Sequence, residues 1–169
     1  MADTESLKGA MPADIEEMAQ NLLSAACEKG VPLATAESCT GGLLASLLTD
    51  IPGCSHIFER GFVTYSDAAK CDLLGLHRKQ IDECGAVSRD VAIAMAQGAL
   101  DRSNAGLVAA LTGFAGPGGD DDEEGLVHIA VARANGEPRH EEFHFGAKGR
   151  GPIRLEALRA ALAMMHEAL

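Results

Sequence analysis

The run "AGLVAALTG", residues 105–113, is the feature that most constrains the fold. It carries no polar side chain before Thr112 and shows no apolar–polar alternation. A strand with one wetted face alternates, whereas an unbroken apolar run ending at a glycine fits a strand covered on both faces. Such a strand needs helices above and below it. The rest of the chain supplies the parts. Ile15, Met18, Ala19, Leu22, Leu23 and Ala26 recur at helical spacing from Asp14, and Gly30 with Pro32 stops them. "VPLATAE" and "IFERGFVTY" read as strands, with the helix "TGGLLASLLTD" between them, stopped by Pro52 and Gly53. "SDAAKCDLLGL" reads as a short helix capped by Ser66 or Asp67, and Ser88 as the cap of "RDVAIAMAQGALDRS". "GLVHIAVAR" and "RHEEFHF" read as strands joined by a turn at "ANGEP", an antiparallel pair, before a last amphipathic helix. The expected class is α/β, a three-layer α/β/α sandwich around a mixed, mostly parallel sheet. Residues 1–12 read as a loose polar leader and 13–169 as a single domain.

Composition excludes several function classes. At 47% hydrophobic residues, the chain of 169 residues can bury a core without a disulfide or metal staple. No apolar run is long enough to span a membrane, and the mixed-charge start is unlike a secretory signal. The net charge of −11 argues against nonspecific nucleic-acid binding. Part of that charge sits in Asp120–Glu124, which reads as a solvated loop. The five cysteines are odd in number and form no C-x-x-C pair, which fits reduced thiols in a cytoplasmic protein and no structural zinc. The apolar last helix, with Leu158, Leu162, Met165 and Leu169, could bury a core or an interface in a homo-oligomer.

Chemistry concentrates in three stretches where strands give way to turns: Glu37–Gly42, Tyr65–Lys70 and Thr112–Gly119. Ligands of open α/β sheets bind at the carboxyl ends of the strands. In the first, Ser38 and Cys39 are rival nucleophiles, while Ser38 or Thr40 could equally be a helix cap. Gly41 and Gly42 would let a ligand approach helix-start N–H groups, a place for a phosphate or an oxyanion. In the second, Lys70 could serve a serine as base if burial lowered its pKa, with Tyr65 relaying or orienting. A strand-edge tyrosine and a solvated lysine fit that spacing too. In the third, Gly113, Ala115 and Gly116 lie in a glycine-rich loop suited to an anionic ligand, or in a plain loop. Arg150 and Arg154 flank the start of the last helix and could grip phosphate or simply face solvent. None of the six histidines has the flanking pattern of a catalytic base, and none sits in a metal-binding motif.

Read together, "TAESCTGGLLASLLTD", "FVTYSDAAK", "GAVS", "TGFAGPGG", "GLVHIAV" and "GRGPIR" resemble the CinA C-terminal domain family, the nicotinamide mononucleotide deamidases (PncC). The likeness runs in order from about Val31 to Leu169. It implies a three-layer sandwich and a serine/lysine amidohydrolase that turns nicotinamide mononucleotide into nicotinic acid mononucleotide and ammonia, without a cofactor. Ser38 then matches the nucleophile, Lys70 the base and Tyr65 the assisting tyrosine, and Arg150 or Arg154 a substrate-binding arginine. Thr40–Gly42 would supply oxyanion donors, and the loop Gly113–Gly116 would help hold the small-molecule nucleotide substrate. The chain departs from the family pattern where Gly149 replaces an aspartate, and where Asp-Glu-Glu-Gly replaces a Pro-Val-Gly loop end. Many relatives in the family carry a further N-terminal domain, for which this chain is too short.

Overall fold

The computed structural model describes residues 10–54 and 56–169. Most of the expected leader, residues 1–9, lies outside the described residues. The first helix, α1 (Ala13–Lys29), ends at Gly30, whose φ of 62° lets its N–H turn back to the carbonyls of the last turn. Five strands follow: β1 (Leu33–Glu37), β2 (Phe58–Val63), β3 (Leu107–Gly113), β4 (Leu126–Arg133) and β5 (Arg139–His144). They form one sheet in the order β2-β1-β3-β4-β5. β1 pairs in parallel with β2 and β3, while β4 runs against both β3 and β5. The sheet is therefore mixed, with β4 the single reversed strand. The "ANGEP" turn makes that reversal with Asn135 at a φ of 63°.

β3 lies at the centre, and its residues 107–112 are all buried, as the unbroken apolar run demands. Its two faces differ. Leu107, Ala109 and Leu111 join Leu33, Val127, Ile129 and Val131 beneath α1, α2 (Leu43–Asp50) and α6 (Arg150–Ala168). Val108 and Ala110 join Ala34, Ala36, Ala130 and Ala132 against α3 (Asp67–Leu74), α4 (Arg78–Cys84) and α5 (Arg89–Asp101). These are the three layers the sequence predicts. The last helix packs into the core: Leu158, Leu162 and Met165 are buried, each contributing roughly 1.5–3 kcal/mol.

Most of the caps also follow the sequence. Ser66 Oγ accepts from Ala69 N–H to start α3, and Ser88 Oγ from Val91 N–H to start α5. The helix α4 has no counterpart in the sequence pattern. Only Ile81 of its seven residues is buried, so it leaves no apolar period to detect.

Helix α5 sits so close to α3 that a Cβ at Gly98 would lie 2.1 Å from the Leu74 carbonyl oxygen. Glycine to alanine inside a helix ordinarily stabilises by up to about 1 kcal/mol. Here the clash reverses the sign, and Gly98→Ala is expected to destabilise by roughly 1–3 kcal/mol. Thermal unfolding would register this as a lower Tm, and an unchanged or raised Tm would contradict the packing.

Because β1, β2 and β3 run the same way, their carboxyl ends share one edge of the sheet. Ser38 follows β1, Thr64–Lys70 follow β2, and Thr112–Ala115 span the end of β3. The chain thus brings the three chemistry-bearing stretches to one place.

Candidate active site

The turn after β1 is built by a carboxylate. Glu37 is fully buried, and its Oε2 accepts from Thr40 Oγ1 at 2.7 Å, Leu44 N–H at 3.0 Å and Gly42 N–H at 3.2 Å. Its Oε1 accepts from Ala45 N–H at 2.8 Å. Neither Ser38 nor Thr40 caps α2, as the sequence allows. The N-cap position is Gly42, which has no side chain to offer, and Glu37 satisfies the helix-start donors from the preceding strand. Gly41 and Gly42 are needed at φ of 63° and 92° to fold the chain back over that carboxylate.

This arrangement also decides which backbone donors remain. Gly42 N–H goes to Glu37, and Gly41 N–H to the Ser38 carbonyl at 3.1 Å. Oxyanion donors sought at Thr40–Gly42 therefore narrow. Among the described residues, the N–H groups of Cys39 and Thr40 are the ones beside Ser38 with no acceptor from another residue.

Ser38 faces Lys70. The amine Nζ stands 3.2 Å from Ser38 Oγ, 3.1 Å from the Thr64 carbonyl and 3.5 Å from the Tyr65 carbonyl. Lys70 lies in the first turn of α3, which Ser66 caps, and only 1% of it is exposed. Burial pulls its pKa down, and Asp67, 4.0 Å away, pulls it back up in part, with smaller help from Cys39 and Cys71. A neutral amine has two hydrogens and one lone pair. The two carbonyls take the hydrogens, and the lone pair is left for the Ser38 hydroxyl. Cys39, the rival nucleophile, is buried with its thiol pushed up to about 12, mainly by burial. It is a poor source of thiolate.

An open cavity of about 250 Å³ lies over this pair. Ser38, Cys39, Tyr65, Lys70, Thr112 and Arg150 are among the residues that line it. Gly113 and Ala115 line it as well, and the Arg150 guanidinium packs on Gly116, where a Cβ would meet it at 3.0 Å. Gly113 has a further reason to be glycine, since a Cβ there would lie 2.6 Å from the Leu126 carbonyl oxygen. Tyr65 is 66% exposed at the rim. Its backbone carbonyl touches Lys70, and its hydroxyl bonds to neither Lys70 nor Ser38. The two arginines separate: Arg150 faces the cavity, while Arg154 Nε donates to the Cys39 carbonyl at 2.8 Å and braces the turn.

Three contributors carry no local sequence signal. The Thr64 carbonyl orients Lys70, and no motif announces a carbonyl. Ala86 and Val87 wall the cavity, held there by Thr112 Oγ1 donating to the Ala86 carbonyl at 2.7 Å. The acidic loop is exposed as expected, yet Glu124 accepts from Gly149 N–H at 2.9 Å at the head of α6, just before Arg150. Glu123 meets His144 at 2.6 Å, and Glu123 with Glu142 holds that imidazole's pKa above its ordinary value. His128 Nδ1 and His140 Nε2 lie 3.0 Å apart, both imidazoles lowered chiefly by burial. Among the described residues, no group of three or more His, Cys, Asp or Glu side chains is placed to hold a metal ion.

The sequence profile of the CinA C-terminal domain matches residues 15–169. The chain belongs to the CinA C-terminal domain family. The likeness extends to solved structures. A competence/damage-inducible protein from Agrobacterium tumefaciens is 47% identical, with a TM-score of 0.89 over 92% of this chain and 95% of that one. A CinA superfamily protein from Escherichia coli is 35% identical, with a TM-score of 0.85 over 92% of this chain and 90% of that one. A CinA-like protein of Chlorobium phaeobacteroides is 46% identical over 160 residues, which are 92% of this chain and 37% of that protein. The chain thus spans little more than a third of the curated relatives it matches. Among the described residues, no helix of this CinA-type domain is long and apolar enough to cross a membrane.

Proposed function

We propose that the chain is a serine/lysine amidohydrolase that deamidates nicotinamide mononucleotide to nicotinic acid mononucleotide and ammonia, in pyridine nucleotide recycling in the cytoplasm. The observation that carries this reading is the buried Lys70 amine 3.2 Å from Ser38 Oγ, its other hydrogen bonds running to carbonyls. Ser38 Oγ attacks the carboxamide carbon while its proton passes to neutral Lys70. The N–H groups of Cys39 and Thr40 are the donors best sited for the oxyanion. The Lys70 ammonium then protonates the leaving ammonia, and water hydrolyses the acyl-enzyme with Lys70 again as base. Arg150 and the loop Gly113–Gly116 suit the substrate phosphate. Tyr65, exposed at the rim, assists the Ser38–Lys70 pair, relaying the proton or contacting the nucleotide. The scheme is complete without a metal or redox cofactor.

The names of relatives favour a second reading, a regulatory nucleotide-binding module of the competence/damage-inducible type. One assay separates the two. Ammonia release from nicotinamide mononucleotide is expected, with little from free nicotinamide, which lacks the phosphate for Arg150. Ser38→Ala is expected to lower it by at least about a thousandfold with the Tm near that of the parent. Binding without turnover in the parent supports the module, and near-normal turnover in Ser38→Ala sinks the nucleophile.

A further inference from the structure

The head of α6 is capped from a distance, as the head of α2 is. Its N-cap is Gly149, which has no side chain to offer, and Glu124 Oε1 accepts from Gly149 N–H at 2.9 Å. Gly149 stands at φ 85° and ψ 160°, a region that only glycine adopts freely. Arg150 follows directly. Its guanidinium faces the cavity and packs on Gly116, and among the described residues it has no hydrogen-bond or ion-pair partner. Such a side chain is placed by the backbone that carries it and by the surface it lies on. Taking the cavity as the nicotinamide mononucleotide site proposed above, we propose that Glu124 is a positioning residue for Arg150. Through Gly149 it fixes where the guanidinium meets the substrate phosphate, and the site thereby favours the phosphorylated nucleoside over the bare one.

One loop, between β3 and β4, holds the arginine from two sides. Gly116 lies near its start and Glu124 near its end. That end is stitched down on both flanks. Gly125 N–H donates to the Phe114 carbonyl at 2.8 Å, and Phe145 N–H to the Gly125 carbonyl at 2.9 Å. A Cβ on Gly125 would lie 2.5 Å from the backbone of Gly146, so the loop end and the segment after β5 touch. Glu123 adds its bond to His144 at 2.6 Å. Glu124 therefore springs from a fixed stretch of backbone.

The charge is placed to help and not to compete. A carboxylate paired with Arg150 would have to be displaced by a phosphate. Glu124 instead bonds the N–H before it, at a helix start where negative charge is favoured, and leaves the guanidinium open to an anion. An arginine grips phosphate through parallel N–H donors aimed at two oxygens, so a small displacement of its backbone loses much of the grip. A nucleoside has no phosphate to lose.

The test compares nicotinamide mononucleotide with nicotinamide riboside, which has the same carboxamide and ribose without the phosphate. The parent is expected to prefer the mononucleotide. In Glu124→Ala the ratio of the two kcat/KM values is expected to fall by about tenfold or more, through KM for the mononucleotide. Glu124→Gln keeps an oxygen for Gly149 N–H and should hold the parent ratio. Gly149→Ala is strained at that φ and should lower the ratio with Glu124 still in place. A role limited to holding the fold would lower Tm and both turnovers together and leave the ratio alone. A parent without the preference, a parent-like ratio in Glu124→Ala or Gly149→Ala, or an equal fall in Glu124→Gln overturns the proposal. If the parent turns over neither compound, the amidohydrolase reading fails by itself, and calorimetry with inorganic phosphate decides the role of Glu124. Weaker binding in Glu124→Ala with parent-like binding in Glu124→Gln supports it. No binding in the parent, or equal binding in all three proteins, overturns it.

Discussion

Replacing Lys70 with methionine is expected to remove turnover and leave the fold at least as stable as in the parent. The two effects share one cause. Lys70 is 1% exposed, and burial pulls its pKa down from the ordinary lysine value. Below that lowered pKa the folded protein holds a charge in a poorly solvated place, and the full penalty is present. Between the lowered value and 10.5 the unfolded chain holds a proton that the folded protein does not, so stability rises with pH. Above 10.5 the penalty is gone. Methionine fills the same space with no charge, so the variant should be as stable near neutrality and lose that rise on the alkaline side. Turnover goes the other way. General-base removal costs about a hundred- to ten-thousandfold. In the parent, kcat/KM should climb with pH through the lowered Lys70 pKa, because the neutral amine is the active form. Urea titrations at several pH values, beside ammonia release, check both halves. A Lys70→Met protein with lower stability and parent-like turnover would show that the lysine is structural.

The same burial explains what the sequence could and could not convey. The run 105–113 predicts a doubly covered strand because periodicity reports burial directly, and β3 is that strand. Ser66 and Ser88 cap as predicted because each bond runs between a side chain and a backbone N–H three residues on. Ser38 and Lys70 are 32 residues apart, and only the parallel pairing of β1 with β2 brings them together. Spacing alone therefore favours a solvated Lys70 over a catalytic one. The arginines divide for a similar reason. Residues 150 and 154 are a turn of helix apart, and which one meets the cavity depends on how α6 seats. Glu37 was hidden differently. A strand-end acid usually reaches solvent, and nothing local marks one that will turn under the following helix.

Removing that carboxylate should do more damage to this domain than any other single polar change near the cavity. Glu37 takes four donors: three backbone N–H groups and the Thr40 hydroxyl. Leaving one buried donor without an acceptor costs about 1–3 kcal/mol. Glu37→Ala strands all four around a cavity, so a loss of at least about 3 kcal/mol is expected. Glu37→Gln is the more informative variant. If its amide nitrogen replaces Oε1, Ala45 N–H loses its acceptor and meets another donor. If the nitrogen replaces Oε2, the Thr40 hydroxyl and the Gly42 and Leu44 N–H groups lose theirs. Either way the start of α2 shifts, and the turn bearing Ser38 and the N–H groups of Cys39 and Thr40 shifts with it. Arg150 and the loop Gly113–Gly116 hang on other elements, so substrate capture should be less affected than chemistry. The expected pattern for Glu37→Gln is a lowered Tm with kcat reduced and KM nearly unchanged, measured on the fraction that stays folded. A role limited to holding the fold would lower Tm while leaving kcat per folded molecule intact. Parent-like Tm and kcat together would mean that α2 finds its cap without Glu37, and that the turn around Ser38 does not depend on it.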